Sequence, residues 1–549
     1  MKVWNNVSDA RNITLAEMFE DYFPTQAHAA SYFIPISEVS VITGGSEAGD
    51  LVELSHSNSA VDQIANYGEV ELTQLARFVA MTHRQYLASA SIAEKSSHVN
   101  MAHAFGVMVR KTKQSTLESL VRRLKDARWW RRQINRLADE RREHLAQVAG
   151  KLGRQTDQQC CSAATMEIMR DRKLKTDKFL GDTYKVVSRT ADLDSPVVFS
   201  LLEVSQAQQA NRINELYVDI KAMEKIAAGK LWGWMFVTLT ASAEYHSNPA
   251  LGKKSYNPDL SPRDANRSIS QDWVAIRGAL KEQGLKPHES YFGFRVTEVH
   301  EDGCPHWHLL IFHAPGVELV VEKAIRRLYH NRSKSYFEKN KDKIMRIGLP
   351  KEDVSAASAA SYIYGYLAFA LSGGSGAKES SGTAYKYQCA IRAMGARQYE
   401  LFGICGSRGK LRALARVKRL KECPEHISKL ANRLHVDEGV EGRNEIQLSA
   451  RMEFLLGDAD KIEFIKEKAL NSLGELKMKV VGVKHKDDDS HVVIAGLCED
   501  IETDLAKKIL TRKRGKGENS IVVNYSRGAG AFCQVGAPSN QKNIMVLRD

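Results

Sequence analysis

No apolar run in this chain approaches the length of a membrane span, and proline is scarce, with 12 in 549 residues. The first shortage excludes a membrane-crossing helix, which needs about 20 consecutive apolar residues; no membrane partner is expected. The second leaves long stretches free to be helical, because proline interrupts helix interiors. Cysteine is thinner still. The eight, at positions 160, 161, 304, 389, 405, 423, 498 and 533, show no disulfide or metal-ligand spacing, and the adjacent Cys160-Cys161 pair suits a reducing compartment. The opening Met1-Lys-Val-Trp runs into a polar, acid-containing stretch, so no secretory leader is expected. A Gly-Lys-Ser/Thr loop for cradling phosphates is missing, which argues against an intrinsic helicase.

Acidic residues also fall short: 66 Asp+Glu face 79 Lys+Arg, a net charge of +13. That balance favours a polyanionic partner. The excess is concentrated in residues 109–136, where Arg110, Lys111, Lys113, Arg122, Arg123, Lys125, Arg128, Arg131, Arg132 and Arg136 surround Trp129-Trp130, against Glu118 and Asp126. Such a helix either presents a solvated face or contacts phosphates, with Arg128, Arg131 and Arg132 as candidates. Bases could stack on Trp129 or Trp130 if either ring is exposed. Arg392 and Arg397 are further candidates for DNA contact. Lys507, Lys508, Arg512, Lys513, Arg514 and Lys516 read as a second, loop-borne basic cluster.

The pattern divides the chain into four: an irregular segment 1–55, an α-helical basic region 56–230, a region 231–410 alternating strands and helices, and a C-terminal α+β region 411–549. In the third, strands are expected at 232–240, 291–299, 306–313 and 397–403, with helices at about 264–284, 319–340 and 355–371. The fold class is α+β, a central antiparallel sheet covered by helices. In the last region, a Lys-Asp-Asp-Asp-Ser turn within 476–496 predicts a hairpin, and another strand is expected near 520–525.

The chemistry concentrates in Val299-His-Glu-Asp-Gly-Cys-Pro-His-Trp-His-Leu-Leu-Ile-Phe312. A strand alternates its faces, so His306 and His308 point the same way. They are either hydrogen-bonded core histidines or half a metal site. The preceding strand decides which residues could join them. A two-residue turn at Asp302-Gly303 would set Glu298 opposite Trp307, on the wrong face. A three-residue turn, Glu301-Asp302-Gly303 with Gly303 left-handed, sets Glu298 opposite His306 and Val296 opposite His308. The second register also gathers Phe292, Phe294, Val296, Leu310 and Phe312 on the histidine face. It predicts a site of His306, His308 and Glu298, with His300 in reserve. Two imidazoles and a carboxylate with open positions suit a divalent Lewis acid, magnesium or manganese rather than zinc.

Downstream, Asp353 to Gly374 reads as a helix bearing Tyr362, Tyr364 and Tyr366. At about 100° per residue, Tyr364 lies near the aliphatic stripe of Ala360, Ile363, Leu367 and Leu371, whereas Tyr362 and Tyr366 share another face. All three rings could be core. Beside a metal site, however, tyrosine can act as a nucleophile. A free tyrosine is about 0.1% ionised at pH 7, a penalty of roughly 4 kcal/mol that charge stabilisation on a phosphoryl oxygen would offset. Gly373 to Gly382 reads as a flexible loop after this helix.

Several separated motifs together resemble the replication gene A proteins of tailed phages, within the wider class of His-hydrophobic-His (HUH) single-strand endonucleases that initiate rolling-circle replication. Phe236-Val-Thr-Leu-Thr240 with Tyr245-His246 resembles the first motif, and Gly293-Phe-Arg-Val-Thr-Glu298 through His308 resembles the metal motif. Tyr362-x-x-x-Tyr366 resembles the paired nucleophiles, Gly395-Ala-Arg-Gln-Tyr399 a later element, and Trp129-Trp-Arg-Arg-Gln133 an upstream one. The resemblance covers about residues 110–405. It implies that one tyrosine, Tyr366 by family order, nicks the origin and holds the 5′ end while the 3′ hydroxyl primes synthesis. Tyr362 would then cleave the regenerated origin. Single-stranded origin DNA, a host helicase and polymerase, and the bacterial host's cytoplasm are the implied partners and setting. Gly365 departs from the family, which commonly carries lysine before the second tyrosine. The rival readings are a transposase or relaxase of the same chemistry and a non-catalytic DNA-binding scaffold.

Overall fold

The turn after Val299 sets the geometry of the central sheet. In the computed structural model, His300 N donates to Cys304 O (2.8 Å), Gly303 N donates to His300 O (2.9 Å) and Gly303 has φ +83. Glu301, Asp302 and Gly303 thus form a three-residue turn, with glycine supplying the left-handed conformation that other residues resist. The strands it joins, β2 (Tyr291–Val299) and β3 (Pro305–His313), pair antiparallel with Glu298 opposite His306 and Val296 opposite His308. The structure describes residues 60–187, 197–249, 255–330, 335–348, 380–404, 407–417, 423–436, 440–486, 491–493, 522–524 and 544–548.

Three further strands, β1 (Gly233–Thr240), β4 (Met345–Gly348) and β5 (Tyr399–Phe402), complete an antiparallel five-stranded sheet in the order β4-β1-β3-β2-β5. Gly293 in β2 is needed for close approach, because a Cβ there would lie 2.1 Å from Leu310 O.

The sheet separates two apolar layers, as period-two patterning requires. On one face Val237, Leu239, Trp307, Leu309 and Ile311 pack with the helices Pro262–Glu282 and Val317–His330. On the other, Phe236, Phe292, Phe294, Val296, Leu310 and Phe312 pack with Leu216, Ile220 and Met223 of the long helix Leu201–Gly229. Glu298, His306 and His308 share this second face, beyond the aromatic residues.

Upstream, the helical region builds its own core. Helix α1 (Glu69–Ser89), α2 (Ile92–His98), α3 (Leu117–Leu124) and α4 (Ala127–Val148) enclose Leu72, Val79, Leu87, Leu124, Trp130 and Ile134. Capping boxes start α2 (Ser91 with Glu94) and α3 (Thr116 with Ser119), and Asp126 caps α4. Each such cap contributes about 1 kcal/mol. Downstream, helices Ser407–Val417, Glu425–Leu434 and Arg443–Glu453 pack against the strands Ile462–Leu470 and Leu476–His485. His491–Val493 adds a third strand, closing the expected hairpin.

Several expectations change. The helix predicted over 319–340 is two, Val317–His330 and Tyr336–Ile344, and β4 follows directly. Four residues are too few to show alternation. Two strands inside the helical region, Thr183–Val187 and Val197–Ser200, join Val522–Asn524 and Ile544–Arg548 in an antiparallel sheet. Their β-branched residues suit strands, but the pairing partner of Thr183–Val187, Ile544–Arg548, is distant in sequence. Ser380 to Gly382, read as loop, open the helix Ser380–Ala393. The segment 1–55, the tyrosine helix with Tyr362 and Tyr366, and the basic cluster 507–516 lie outside the described residues.

Candidate active site

Three side chains from the two strands of the hairpin converge. Glu298 Oε2 lies 3.4 Å from His306 Nε2 and 3.2 Å from His308 Nε2, and the two Nε2 atoms are 3.0 Å apart. Donors held about 2.1 Å from a divalent ion stand about 3.0 Å apart in an octahedron and about 3.4 Å apart in a tetrahedron. The three separations fall within that span, so the residues fit an ion. Their side chains are largely buried, with 11–14% exposure.

The charge states of His306 and Glu298 also suit metal binding, which needs a neutral imidazole and an ionised carboxylate. Burial holds the His306 pKa below its usual value, only partly offset by the hydrogen bond with Glu298. Burial alone would raise the Glu298 carboxyl, but hydrogen bonds and charge from His306 and His308 outweigh it and hold the pKa at about 2.

Surrounding groups orient the trio. Thr238, opposite His308 in the sheet, places Oγ1 3.1 Å from His308 Nδ1, an arrangement that leaves Nε2 facing Glu298. His246 Nδ1 lies 2.9 Å from Asp302 Oδ2, and Asp302 Oδ1 accepts from Cys304 N. Asp302 therefore does more than turn the chain: it ties the first motif to the hairpin. His300 lies beside His306 at 4.1 Å between ring centres, near but outside the converging trio. Burial and the charges of His306 and His246 push its pKa down to about 2. The spacing-based reading missed Thr238 and the His246–Asp302 pair, although strand alternation puts Thr238 on the histidine face. It also passed over Tyr387, whose hydroxyl pKa is raised by burial first and then by nearby Cys160 and Glu298, so its phenolate is disfavoured.

The helical region grips the same turn. Gln147 Nε2 donates to Asp302 O at 2.9 Å, and Cys160 N donates to Glu301 O at 2.8 Å. On the opposite face, the Arg295 guanidinium sits 3.7 Å over the Trp307 ring and bonds Glu400 at 2.7 Å. Both contacts stiffen the backbone that carries His306 and His308.

Among the basic candidates, Arg128, Arg131, Arg132, Arg392 and Arg397 are exposed, Arg397 next to Glu400 at 3.2 Å. Trp129 and Trp130 are not available for stacking. They are buried, 8% and 0% exposed, and Trp130 Nε1 donates to Leu124 O at 2.8 Å. The condition for base stacking therefore fails: in α4 both rings turn inward, while their arginine neighbours turn out.

Residues 57–371 match the family described as bacteriophage replication gene A protein (GPA). Over 213 residues the chain is 31% identical to the "Probable replication protein P12" of Pseudoalteromonas phage PM2, covering 38% of this chain and 31% of that protein. It is 28% identical over 251 residues to the "Replication gene A protein" of Escherichia phage 186, covering 45% of this chain and 34% of the relative. A "Probable replication endonuclease from prophage-like region" of Escherichia coli O6:H1 is 27% identical over 189 residues, covering 34% and 22%. The chain thus spans about a third or less of the length of these relatives. No solved structure matches it. The matched family segment takes in more than half of the 549 residues and includes the whole Glu298, His306 and His308 trio, and the chain belongs to the bacteriophage replication gene A protein family.

Proposed function

We propose that this protein is a metal-dependent, site-specific endonuclease that nicks single-stranded DNA at a replication origin and initiates rolling-circle replication. The observation that carries the reading is the trio of donor atoms 3.0–3.4 Å apart on one face of the sheet. His306, His308 and Glu298 would hold magnesium or manganese. When bound, the ion supplies Lewis-acid stabilisation of negative charge on a phosphoryl oxygen.

The remaining work falls to the chain. Tyr366 is the proposed first nucleophile: its hydroxyl gives up its proton as its oxygen bonds to phosphorus, the P–O3′ bond breaks, and the leaving 3′ oxygen takes up a proton, so that no net proton is consumed. The 5′ end stays on the enzyme as a phosphotyrosine ester, which conserves the bond energy for rejoining. Tyr362 is the proposed second nucleophile for the regenerated origin. Thr238 keeps the His308 ring oriented, and the His246–Asp302 pair holds the turn. Arg128, Arg131, Arg132, Arg392 and Arg397 are proposed phosphate contacts that position the strand without reading its sequence. A host helicase and polymerase would act on the 3′ end, in the host cytoplasm. Among the described residues no helix is long and apolar enough to cross a membrane.

Labelled single-stranded fragments of the protein's own genome, incubated with manganese, test the proposal. Cleavage with a covalent protein–DNA adduct that is lost in Tyr366→Phe is expected. Binding without cleavage would instead indicate a scaffold, and an undiminished adduct in Tyr366→Phe would remove that residue from its role. Insertion of the nicked strand into a second DNA would favour the transposase reading.

A further inference from the structure

A second group of histidines sits in the helical region, remote in sequence from the proposed nicking site. His83 lies on α1, His98 ends α2, and His103 follows in the loop that leads to α3. Ligand-capable atoms of all three lie within 4.8 Å of one another. The rings are 1%, 2% and 0% exposed, and His83 Nδ1 is 3.0 Å from His98 Nε2.

A core explanation leaves this group poorly satisfied. His98 Nδ1 and both ring nitrogens of His103 are buried without a hydrogen-bond partner, and an unpaired buried polar group is destabilising. Protonation offers no relief. Burial lowers the His98 pKa to about 4, and burial with the charge of His98 lowers that of His103 to about 3, so both rings are neutral at pH 7. Burial likewise holds the His83 pKa well below its usual value, so three imidazoles from three elements form a donor set, and their surroundings fix its shape. The His83 ring stacks on Trp130, 5.3 Å between centres and 4° from parallel. The His103 loop closes tightly, with His103 N donating to Val107 O at 2.9 Å and Phe105 in the left-handed region at φ 61.

We propose that His83, His98 and His103 bind a zinc-class divalent transition ion that staples the loop before the basic helices α3 and α4 to α1. Three nitrogen donors select a borderline ion over magnesium or manganese, in contrast to the oxygen-containing trio of Glu298, His306 and His308. The near-complete burial of the rings makes the role one of stability, not of turnover.

The test uses the untagged full chain, stripped with a chelator and titrated with zinc alone. To silence the other trio, the titration is run on His306→Gln/His308→Gln. That variant is expected to bind one zinc with a rise in melting temperature. Adding His98→Gln and His103→Gln should weaken binding by more than the roughly 10–100-fold that loss of an outer-shell partner causes. No binding to the first variant, or unchanged binding to the second, overturns the proposal. Should the second variant fail to fold, zinc X-ray absorption of the first decides: a shell containing three imidazoles is expected, and one with two or fewer overturns the assignment.

Discussion

The two histidine groups are made of the same side chain and differ in nearly everything that determines what it can do. His306 and His308 stand two apart on one strand, face a carboxylate and keep 11% side-chain exposure. His83 and His98 stand 15 apart on different helices, meet His103 without an acid among the converging groups, and are almost fully enclosed. An oxygen donor and residual exposure suit a hard ion that must meet substrate; three enclosed nitrogens suit an ion that stays. Identity of the residue therefore says less than the element that presents it.

The sharpest way to break this contrast is His308→Gln. Loss of the proposed Lewis acid, worth several kcal/mol, should lower nicking by about 10³-fold or more, with the melting temperature nearly unchanged. A large stability loss with normal nicking would make the strand pair structural. The converse variant is Trp130→Ala, which removes the ring under His83 and a fully buried side chain. It should destabilise by about 3–5 kcal/mol in urea unfolding, while nicking well below the midpoint stays close to normal. Thr238→Val tests whether orientation matters at the exposed group: manganese affinity, measured by calorimetry, should fall roughly 10–100-fold. Unaltered affinity would show that the Thr238 contact is incidental. The smallest effect concerns the outer face of α4. Arg131→Gln or Arg132→Gln should each lower the salt dependence of single-strand binding by about 0.7 in log–log slope if the residue meets a phosphate. An unchanged slope would leave that face merely solvated.

Much of the sheet was legible because its signals are local. The three-residue turn Glu301-Asp302-Gly303 and the alternation of Phe292, Phe294 and Val296 specify one register, and that register brings Glu298 to His306. Short or interrupted elements were not legible: β4 has four residues and an edge position, and Thr183–Val187 depends on a strand more than 350 residues away. Trp129 and Trp130 illustrate a different limit. Their arginine-rich neighbours suggested an aromatic nucleic-acid face, but orientation around α4 follows from what packs on it. Leu72, Val79 and Ile134 belong to the same core as both rings.

By itself, then, the sequence determined the His306, His308 and Glu298 trio, because a period of two and one left-handed glycine are properties of a few adjacent residues. It also determined the family, through motifs that need no folding to be read. Only the tertiary structure decided that Thr238 and the His246–Asp302 pair support the trio, that α4 buries its tryptophans, and that His83, His98 and His103 meet. Those relations join residues whose separations carry no periodic meaning. They arise from helices packed against helices and strands, and packing is settled by the whole core at once.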